Sequence, residues 1–163
     1  MLIIKRISKI VFIITLFFLF TPIIKDINYK ERIDNALNIK KGKNIYEGYL
    51  YIPRFNYKNL IKIGDNVLDE NLIEMLSFSD KIGESNIILA GHNNNYVFGN
   101  LYDLDIGNEI ILSDFNLDYR YIVKELKYVK VNDYSIFENK DSITLITCTN
   151  NNQKRYVVIA KRE

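Results

Sequence analysis

The sequence is poor in the residues that build zinc sites, disulfides and flexible segments. Its 163 residues include one cysteine, one histidine, two prolines, seven glycines and no tryptophan. A single cysteine cannot form an internal disulfide, and one cysteine with one histidine falls short of the ligand set of a structural zinc site. The chain also lacks a glycine-rich phosphate loop and a Gly-x-Ser-x-Gly nucleophile turn. We therefore expect no metal ion and no cofactor, and neither nucleotide-phosphate nor serine-hydrolase chemistry is indicated.

Neither sign of charge is in large excess. The chain has 22 basic and 20 acidic residues, which give a formal net charge of +2. This balance provides no electrostatic reason to expect nucleic-acid binding. The low proline and glycine content excludes collagen-like and low-complexity chains, and the length predicts one folded domain.

An apolar run near the N-terminus predicts a membrane anchor. Lys5, Arg6 and Lys9 precede an apolar run at 10–24, and the turn before it brings the run close to the roughly 20 residues that span a bilayer. No small-residue cleavage site follows, so an uncleaved signal anchor at 1–25 is favoured over a cleaved signal peptide. The basic flank predicts a cytoplasmic N-terminus and places the remainder on the outer face of the cell membrane. The charged segment 26–45 is interpreted as a linker or stalk helix.

Residues 46–163 carry short apolar runs separated by polar turns, a pattern typical of a β domain. Helical spacing of leucines predicts a helix within 65–76, and apolar residues at every third position predict a short helix or 3₁₀ turn at 98–104. The predicted fold class is mainly β, a closed and mostly antiparallel barrel of seven or eight strands with one or two short helices, preceded by the N-terminal transmembrane helix. The strand-like runs are 48–52, 59–63, 86–92, 109–112, 119–131, 144–148 and 155–160.

Three chemically active residues lie at strand ends. Cys148 closes the run 144–148, a short polar loop follows, and Arg155 opens the next run. Sequential strands joined by a short loop usually form an antiparallel hairpin, so Cys148 and Arg155 are expected to lie opposite each other. His92, the only histidine, ends the run 86–92. The pattern favours a site in which these three side chains meet.

These residue types together indicate acyl transfer. A thiolate is the reactive form of cysteine, and a nearby cation increases the ionised fraction of the thiol. Arg155 could stabilise the negative oxygen that forms when Cys148 attacks a carbonyl. His92 could donate a proton to the departing amine and accept one from the incoming nucleophile. From composition alone, a buried and unreactive Cys148 is an equally good interpretation.

Several segments resemble the signatures of the sortases, which are membrane-anchored cysteine transpeptidases of mainly Gram-positive bacteria. The segment 144–148, Thr-Leu-Ile-Thr-Cys, resembles the Thr-Leu-x-Thr-Cys signature of the family. Arg155 begins a segment that resembles its Arg-x-Val-Val strand, and Gly91-His92 resembles its Gly-His motif. Further similarities at 48–53, 82–86, 98–101 and 106–110 extend the resemblance over about residues 46–163.

The resemblance implies a sortase-like barrel and a specific reaction. Cys148 would attack a backbone carbonyl in a short sorting motif near the C-terminus of a secreted protein and form a thioester. An amine from a cell-wall precursor or from a pilin lysine would resolve the thioester. His92 would act as general acid and base, and Arg155 would hold the substrate and the oxyanion. The implied partners are these substrates and acceptors, with the membrane bound through the N-terminal helix.

Strand parity extends the predicted site beyond the three reactive residues. Thr144 and Ile146 share the strand face of Cys148, and Ala90 shares that of His92, so we predict that they line a substrate groove. Ordinary barrel core is the alternative interpretation of these positions. Thr147 points to the other face, but its backbone would lie close to the thioester, so Thr147 is counted among the substrate-binding residues.

Two loops leave the sortase class open. Only six residues separate Cys148 from Arg155, and the loop at 132–141 is too short for the helical insertion of class B, although Asn93 resembles that class. If water resolves the same acyl-enzyme, the chain is an extracytoplasmic cysteine protease. A non-catalytic, membrane-tethered barrel that binds peptides or partners is the remaining alternative.

Overall fold

In the computed structural model the chain divides into two units, Met1–Ile39 and Lys40–Glu163. The structure describes residues 46–64 and 67–163 of the second unit and isolated positions between 11 and 35 of the first. The predicted anchor at 1–25 and linker at 26–45 lie mostly outside the described residues, and the isolated positions have helical backbone. No helix among the described residues has both the length and the apolar character that a membrane span requires. The anchor, the linker and the domain boundaries therefore stay predictions.

Eight strands in the second unit close into a barrel. They are β1 (Gly48–Ile52), β2 (Tyr57–Lys62), β3 (Ile73–Met75), β4 (Asn86–Ala90), β5 (Glu109–Ser113), β6 (Asp118–Lys130), β7 (Ser142–Cys148) and β8 (Lys154–Arg162). Around the barrel their order is β1-β2-β3-β4-β7-β8-β6-β5. The pairs β2–β3 and β4–β7 are parallel, and the other six are antiparallel. The expected closed, mostly antiparallel barrel is thus confirmed.

Helical structure in the described part of this unit is confined to four 3₁₀ turns of three to five residues. The turn Gly99–Asp103 confirms the short helix or 3₁₀ turn expected there, and it buries Phe98, Leu101 and Leu104 as the spacing predicts. The other turns are Pro53–Phe55, Leu68–Glu70 and Ser135–Phe137.

The predicted helix within 65–76 is wrong. Its described part forms the turn Leu68–Glu70 and then β3. Asn71 between them has a left-handed backbone with φ of 56°, which ends the helical geometry. β3 pairs with β2 on one edge and β4 on the other, and it buries Ile73 and Met75. Backbone pairing on both edges, together with this burial, overrides the helical spacing of the leucines.

Alternate residues of β7 face two separate apolar cores, as the strand period requires. Ile143 and Leu145 belong to the core inside the barrel. Ile146 belongs to a second cluster, here called the outer cluster, which also contains Ile136 from the loop between β6 and β7. The loop thereby removes from water an apolar face that the barrel would otherwise expose. The outer cluster consists of Ile88, Val129, Ile136, Ile146, Val157 and Ile159, with Leu76 and Phe137 packed against it.

Candidate active site

The parallel pairing of β4 with β7 brings the segments that carry His92 and Cys148 to the same rim of the barrel. Ala90 and Ile146 are the last register partners, and the Gly91 N–H donates to the Ile146 carbonyl at 3.0 Å. His92 and Cys148 each follow this pair by two residues. The only histidine and the only cysteine of the chain therefore lie at the same rim of the barrel.

A buried hydrogen bond joins the two chain segments at this rim. The Thr147 hydroxyl donates to the Gly91 carbonyl at 2.8 Å. These two residues directly precede Cys148 and His92, so the bond fixes the distance between the backbones that carry the reactive side chains. Thr147 is 2% exposed, so its side chain is not available to a substrate. Of Thr147, only the backbone could contact a substrate, as predicted from the sequence.

Packing requires the glycine before His92. A Cβ atom at Gly91 would lie 2.6 Å from the side chains of Val97 and Phe98, both of which are buried. The Phe98 N–H also donates to the His92 carbonyl at 2.9 Å. The Gly-His sequence therefore lets the chain fold back tightly after β4, and this fold leaves His92 exposed at the surface.

Arg155 faces Cys148 from the neighbouring strand, which confirms the predicted hairpin. The two residues are register partners at the end of the β7–β8 pairing. The hydrogen bond of the Arg155 guanidinium runs to the Lys154 carbonyl at 3.4 Å. No carboxylate within the described residues forms an ion pair with Arg155. Its charge is therefore available to an anion that forms on a substrate.

Cys148 has one reactive neighbour on each side. Its thiol is free and partly exposed. Because β7 lies between β4 and β8 in the barrel, the segment that follows β4 and carries His92 is on one side, and Arg155 is on the other. One rim of the barrel thus carries a nucleophile, a proton carrier and a permanent cation. Such a set can carry out acyl transfer through a thioester.

Two of the predicted groove residues lie next to the reactive residues. Ile146 is 8% exposed and Ala90 is partly buried, and each stands two residues before a reactive residue on its strand. Ile146 joins the outer cluster, which agrees with the strand parity. Contact of these two side chains with a substrate remains a prediction.

Thr144 does not lie on an open groove in this structure, contrary to expectation. It is completely buried, and its register partners Ile88 and Ile159 both belong to the outer cluster. Its hydroxyl has no hydrogen-bond partner in the described part of the chain. Parity assigned Thr144 to the correct face, but the outer cluster, with Ile136 of the β6–β7 loop, buries that part of the face.

Sequence reasoning missed Tyr102. Its hydroxyl donates to the Cys148 carbonyl at 3.0 Å, and its ring stacks on Tyr156 with centroids 4.5 Å apart. Burial raises the pKa of Tyr102 above its usual 10.0, and the negative charges of Tyr128 and Cys148 raise that pKa further. No local pattern could have indicated the contact, because 46 residues separate Tyr102 from Cys148 in the sequence.

A cleft of about 570 Å³ lies beside the turn that carries Tyr102. Asn93, the residue after His92, donates to Asn150 of the β7–β8 loop at 2.8 Å and so joins two parts of the cleft wall. Over the described ranges, no group of three or more His, Cys, Asp and Glu side chains could hold a metal ion. The uncharged residues that line the cleft are Asn93, Gly99, Tyr102, Tyr128, Thr149, Asn150 and Asn151.

Comparison with known proteins identifies the same family over the whole barrel. A family model described as the sortase domain matches residues 50–163. Sortase A of Listeria monocytogenes serovar 1/2a is 30% identical over 139 residues, which cover 80% of this chain and 62% of the relative. The chain thus spans less than two thirds of the length of that curated relative.

Solved sortase structures of different classes match about equally well. The sortase D5 transpeptidase of Clostridium perfringens aligns with a TM-score of 0.68 and 26% identity over 82% of this chain and 94% of that chain. Sortase C1 of Streptococcus agalactiae aligns with a TM-score of 0.68 and 31% identity over 82% of this chain and 76% of that chain. These matches show the shared barrel and do not distinguish the class. Because the family model matches more than half of its residues, the chain belongs to the sortase family.

Proposed function

We propose that this chain is a transpeptidase that cleaves a short sorting motif of secreted proteins through a Cys148 thioester and transfers the acyl group to an amine. The observation that carries the proposal is the register of β4, β7 and β8, which pairs Cys148 with Arg155 and ends on β4 two residues before His92. Membership of the sortase family supports the reaction class.

In the first half-reaction, His92 holds the proton of the Cys148 thiol, and the Cys148 thiolate attacks the carbonyl carbon of the scissile peptide bond. The electron pair of the C=O bond moves to the oxygen, and the Arg155 guanidinium stabilises the resulting oxyanion. The C=O bond then re-forms, the C–N bond breaks, and His92 gives its proton to the leaving amine, so the acyl group remains on sulfur as a thioester. Removal of a single oxyanion donor typically lowers the rate by roughly 100- to 1000-fold.

In the second half-reaction, an amine nitrogen attacks the thioester carbon. His92 accepts the proton of the amine, the C–S bond breaks, and the Cys148 thiolate is released. The exposure of His92 at the rim supports this step, because an acceptor can approach it from solvent. We propose an amine of a cell-wall precursor or a pilin lysine as the acceptor.

We propose that the sorting motif lies along the outer face of β4 and β7, beside Ala90 and Ile146. The outer cluster supports an apolar floor at this place. Next to it, Phe78 is 58% exposed, and its ring meets Phe137 edge-on with centroids 5.0 Å apart. Two aromatic rings beside an apolar floor favour uncharged side chains in the motif.

We also propose that the N-terminal segment 1–25 anchors the protein in the cell membrane and that 26–45 links it to the barrel. The catalytic domain would then face the outside, where secreted substrates and cell-wall precursors are found. The basic residues that precede the apolar run support this orientation.

The test uses the purified full chain and intact-protein mass spectrometry. The chain is incubated with Leu-Pro-x-Thr-Gly-like and Asn-Pro-x-Thr-like peptides, with and without triglycine as the amine. The proposal expects an adduct that the Cys148→Ala variant does not form, and a peptide–triglycine product when the amine is present. An adduct that only water resolves would instead identify a cysteine protease.

A thiol-specific reagent completes this test. The proposal expects Cys148 to react while the protein is folded, because its thiol is partly exposed. A thiol that reacts only after unfolding, together with no adduct from any peptide, would overturn the proposal and favour a non-catalytic binding barrel.

A further inference from the structure

A chain of hydrogen bonds connects Cys148 to the residue that follows His92. The Tyr102 hydroxyl donates to the Cys148 carbonyl at 3.0 Å. The side-chain amide of Asn93 donates to the Tyr102 oxygen at 3.4 Å and to Asn150 at 2.8 Å. A carbonyl only accepts hydrogen bonds, so the phenol proton points to Cys148 and its oxygen receives the amide of Asn93. Successive hydrogen bonds of this kind polarise and strengthen one another.

Packing holds Tyr102 in the orientation that this contact needs. Its ring stacks on Tyr156 at an interplanar angle of 23°. Tyr156 is 6% exposed and is the register partner of Thr147 on β7. The preceding residue, Leu101, is buried and so anchors the turn that carries Tyr102. Packing of the turn and stacking on β8 therefore hold the Tyr102 hydroxyl in position to bond the Cys148 carbonyl.

The Tyr102 hydroxyl also remains a donor over the working range of a thiol enzyme. Burial raises its pKa above 10.0, and negative charge on Tyr128 or Cys148 raises that pKa further. A raised phenol pKa means that the proton is retained at neutral and mildly alkaline pH. Ionisation of Cys148 therefore does not remove the donor that holds its own carbonyl.

We propose that Tyr102 and Asn93 are positioning residues that fix the end of β7 relative to His92. After Cys148 the chain leaves β7 and enters the β7–β8 loop. Tyr102 holds the carbonyl at this transition, and Asn93 ties the same hydroxyl to the backbone beside His92. The effect on turnover rests on the proposed transpeptidase function, whereas the effect on thiol reactivity can be measured without a substrate.

A Tyr102→Phe variant separates this role from simple packing. The substitution keeps the ring that stacks on Tyr156 and removes only the hydroxyl. Tyr128→Phe is a matched control, because Tyr128 also packs on Tyr156, with ring centroids 5.1 Å apart, and is 59% exposed. If the tyrosines serve only to pack, the two variants should behave alike.

The first measurement is the rate at which iodoacetamide alkylates Cys148 in the folded full chain across pH 6–9. Tyr102→Phe is expected to slow alkylation by about three- to tenfold, the effect of losing one hydrogen bond. The physical reason is that the Cys148 carbonyl is then no longer held, so the thiol spends less time in its partly exposed position opposite Arg155. Tyr128→Phe should match the wild type. Tyr102→Phe/Asn93→Ala should be no slower than the slower single variant, because both residues act through one hydroxyl.

The second measurement is acylation of the wild type, Tyr102→Phe and Tyr128→Phe by a donor peptide. Tyr102→Phe should lower kcat by about three- to tenfold with KM changed by less than about twofold, because the hydroxyl holds the nucleophile and not the substrate. Circular dichroism should show the same melting transition for all three proteins.

Alkylation and acylation of Tyr102→Phe at the rates of Tyr128→Phe would overturn the inference. A loss that appears only in KM or in the melting transition would also overturn it. A wild type that alkylates but never acylates would refute the proposed function, and the alkylation comparison would then still decide the positioning role.

Discussion

Cys148 and Arg155 are register partners across β7 and β8, and in the described part of the chain no carboxylate neutralises the guanidinium. An exposed ion pair would in any case add only about 0–1 kcal/mol to stability, so the absence of one at Arg155 costs the fold little. An unpaired arginine beside a thiol is better suited to a negative charge that exists only during the reaction. This relationship underlies the first prediction.

Arg155→Ala should lower kcat/KM for peptide cleavage by about 100-fold or more, because the oxyanion loses its charged donor. The free energy of unfolding should change by less than about 0.5 kcal/mol, since no ion pair is broken. The kcat/KM of Arg155→Lys should lie between those of the wild type and Arg155→Ala, because lysine keeps the charge but lacks the planar guanidinium with its several donors. Steady-state kinetics and urea unfolding measure both quantities. Lys154→Ala, which removes the neighbouring exposed cation, should behave as wild type, and an equal loss there would contradict the role of Arg155.

Thr147→Val should lower both stability and activity. It removes the hydroxyl that donates to Gly91 and leaves a buried carbonyl without that partner, which costs about 1–3 kcal/mol in the free energy of unfolding. Activity should fall because the spacing between the segments that carry Cys148 and His92 is no longer fixed. Thr147→Ser retains the hydroxyl and should keep most of the stability and most of the activity. Urea unfolding and cleavage assays measure these two quantities. A Thr147→Val variant with wild-type stability would contradict this structural role.

Thr144→Val should be neutral or stabilising and should leave KM for the donor peptide unchanged. Thr144 is completely buried, and its hydroxyl is unsatisfied among the described residues, so the isosteric valine removes a buried polar group that makes no hydrogen bond. Urea unfolding and Michaelis–Menten kinetics test the two parts. A KM that rises several-fold would show that Thr144 contacts the substrate, as the strand parity had predicted.

Tyr121→Phe should reduce the loss of stability at alkaline pH. Tyr121 is 1% exposed, and burial raises its pKa above 10.0, an effect that the charge of Arg162 partly offsets. Because the folded-state pKa is the higher one, the unfolded state loses this proton first, and stability falls as pH rises through about 10. Urea unfolding at neutral and alkaline pH should show a shallower decline for Tyr121→Phe. Tyr134→Phe, a change at a 70% exposed position, should leave the decline unaltered.

The parts of the fold that the sequence predicts are those set by local periodicity. The hairpin of β7 and β8 follows from two alternating runs and a short polar loop, and these features suffice to place Arg155 opposite Cys148. β3 could not be predicted in this way, because it has only three residues and the leucines that flank it, Leu68, Leu72 and Leu76, have helical spacing. Its conformation depends on pairing with β2 and β4, which no local pattern contains.

The candidate site shows the same division. The position of Cys148 at a strand end was predictable, whereas β4 ends at Ala90, two residues before the predicted end at His92. That both segments reach one rim depends on the parallel register of β4 and β7. Parity gave the correct face for Thr144, yet its burial comes from the outer cluster that includes Ile136 of a distant loop. The contact of Tyr102 with Cys148 likewise requires the closed barrel.

The most direct test of the Cys148 thioester mechanism is to identify the residue that carries the acyl group and to measure the mass of that group. The full chain is mixed with a donor peptide, quenched in acid within seconds, digested and examined by tandem mass spectrometry. The account predicts a mass increment on Cys148 equal to the N-terminal part of the cleaved peptide, which disappears when triglycine is added before the quench. An increment on another residue, or one equal to the uncleaved peptide, would contradict the thioester mechanism.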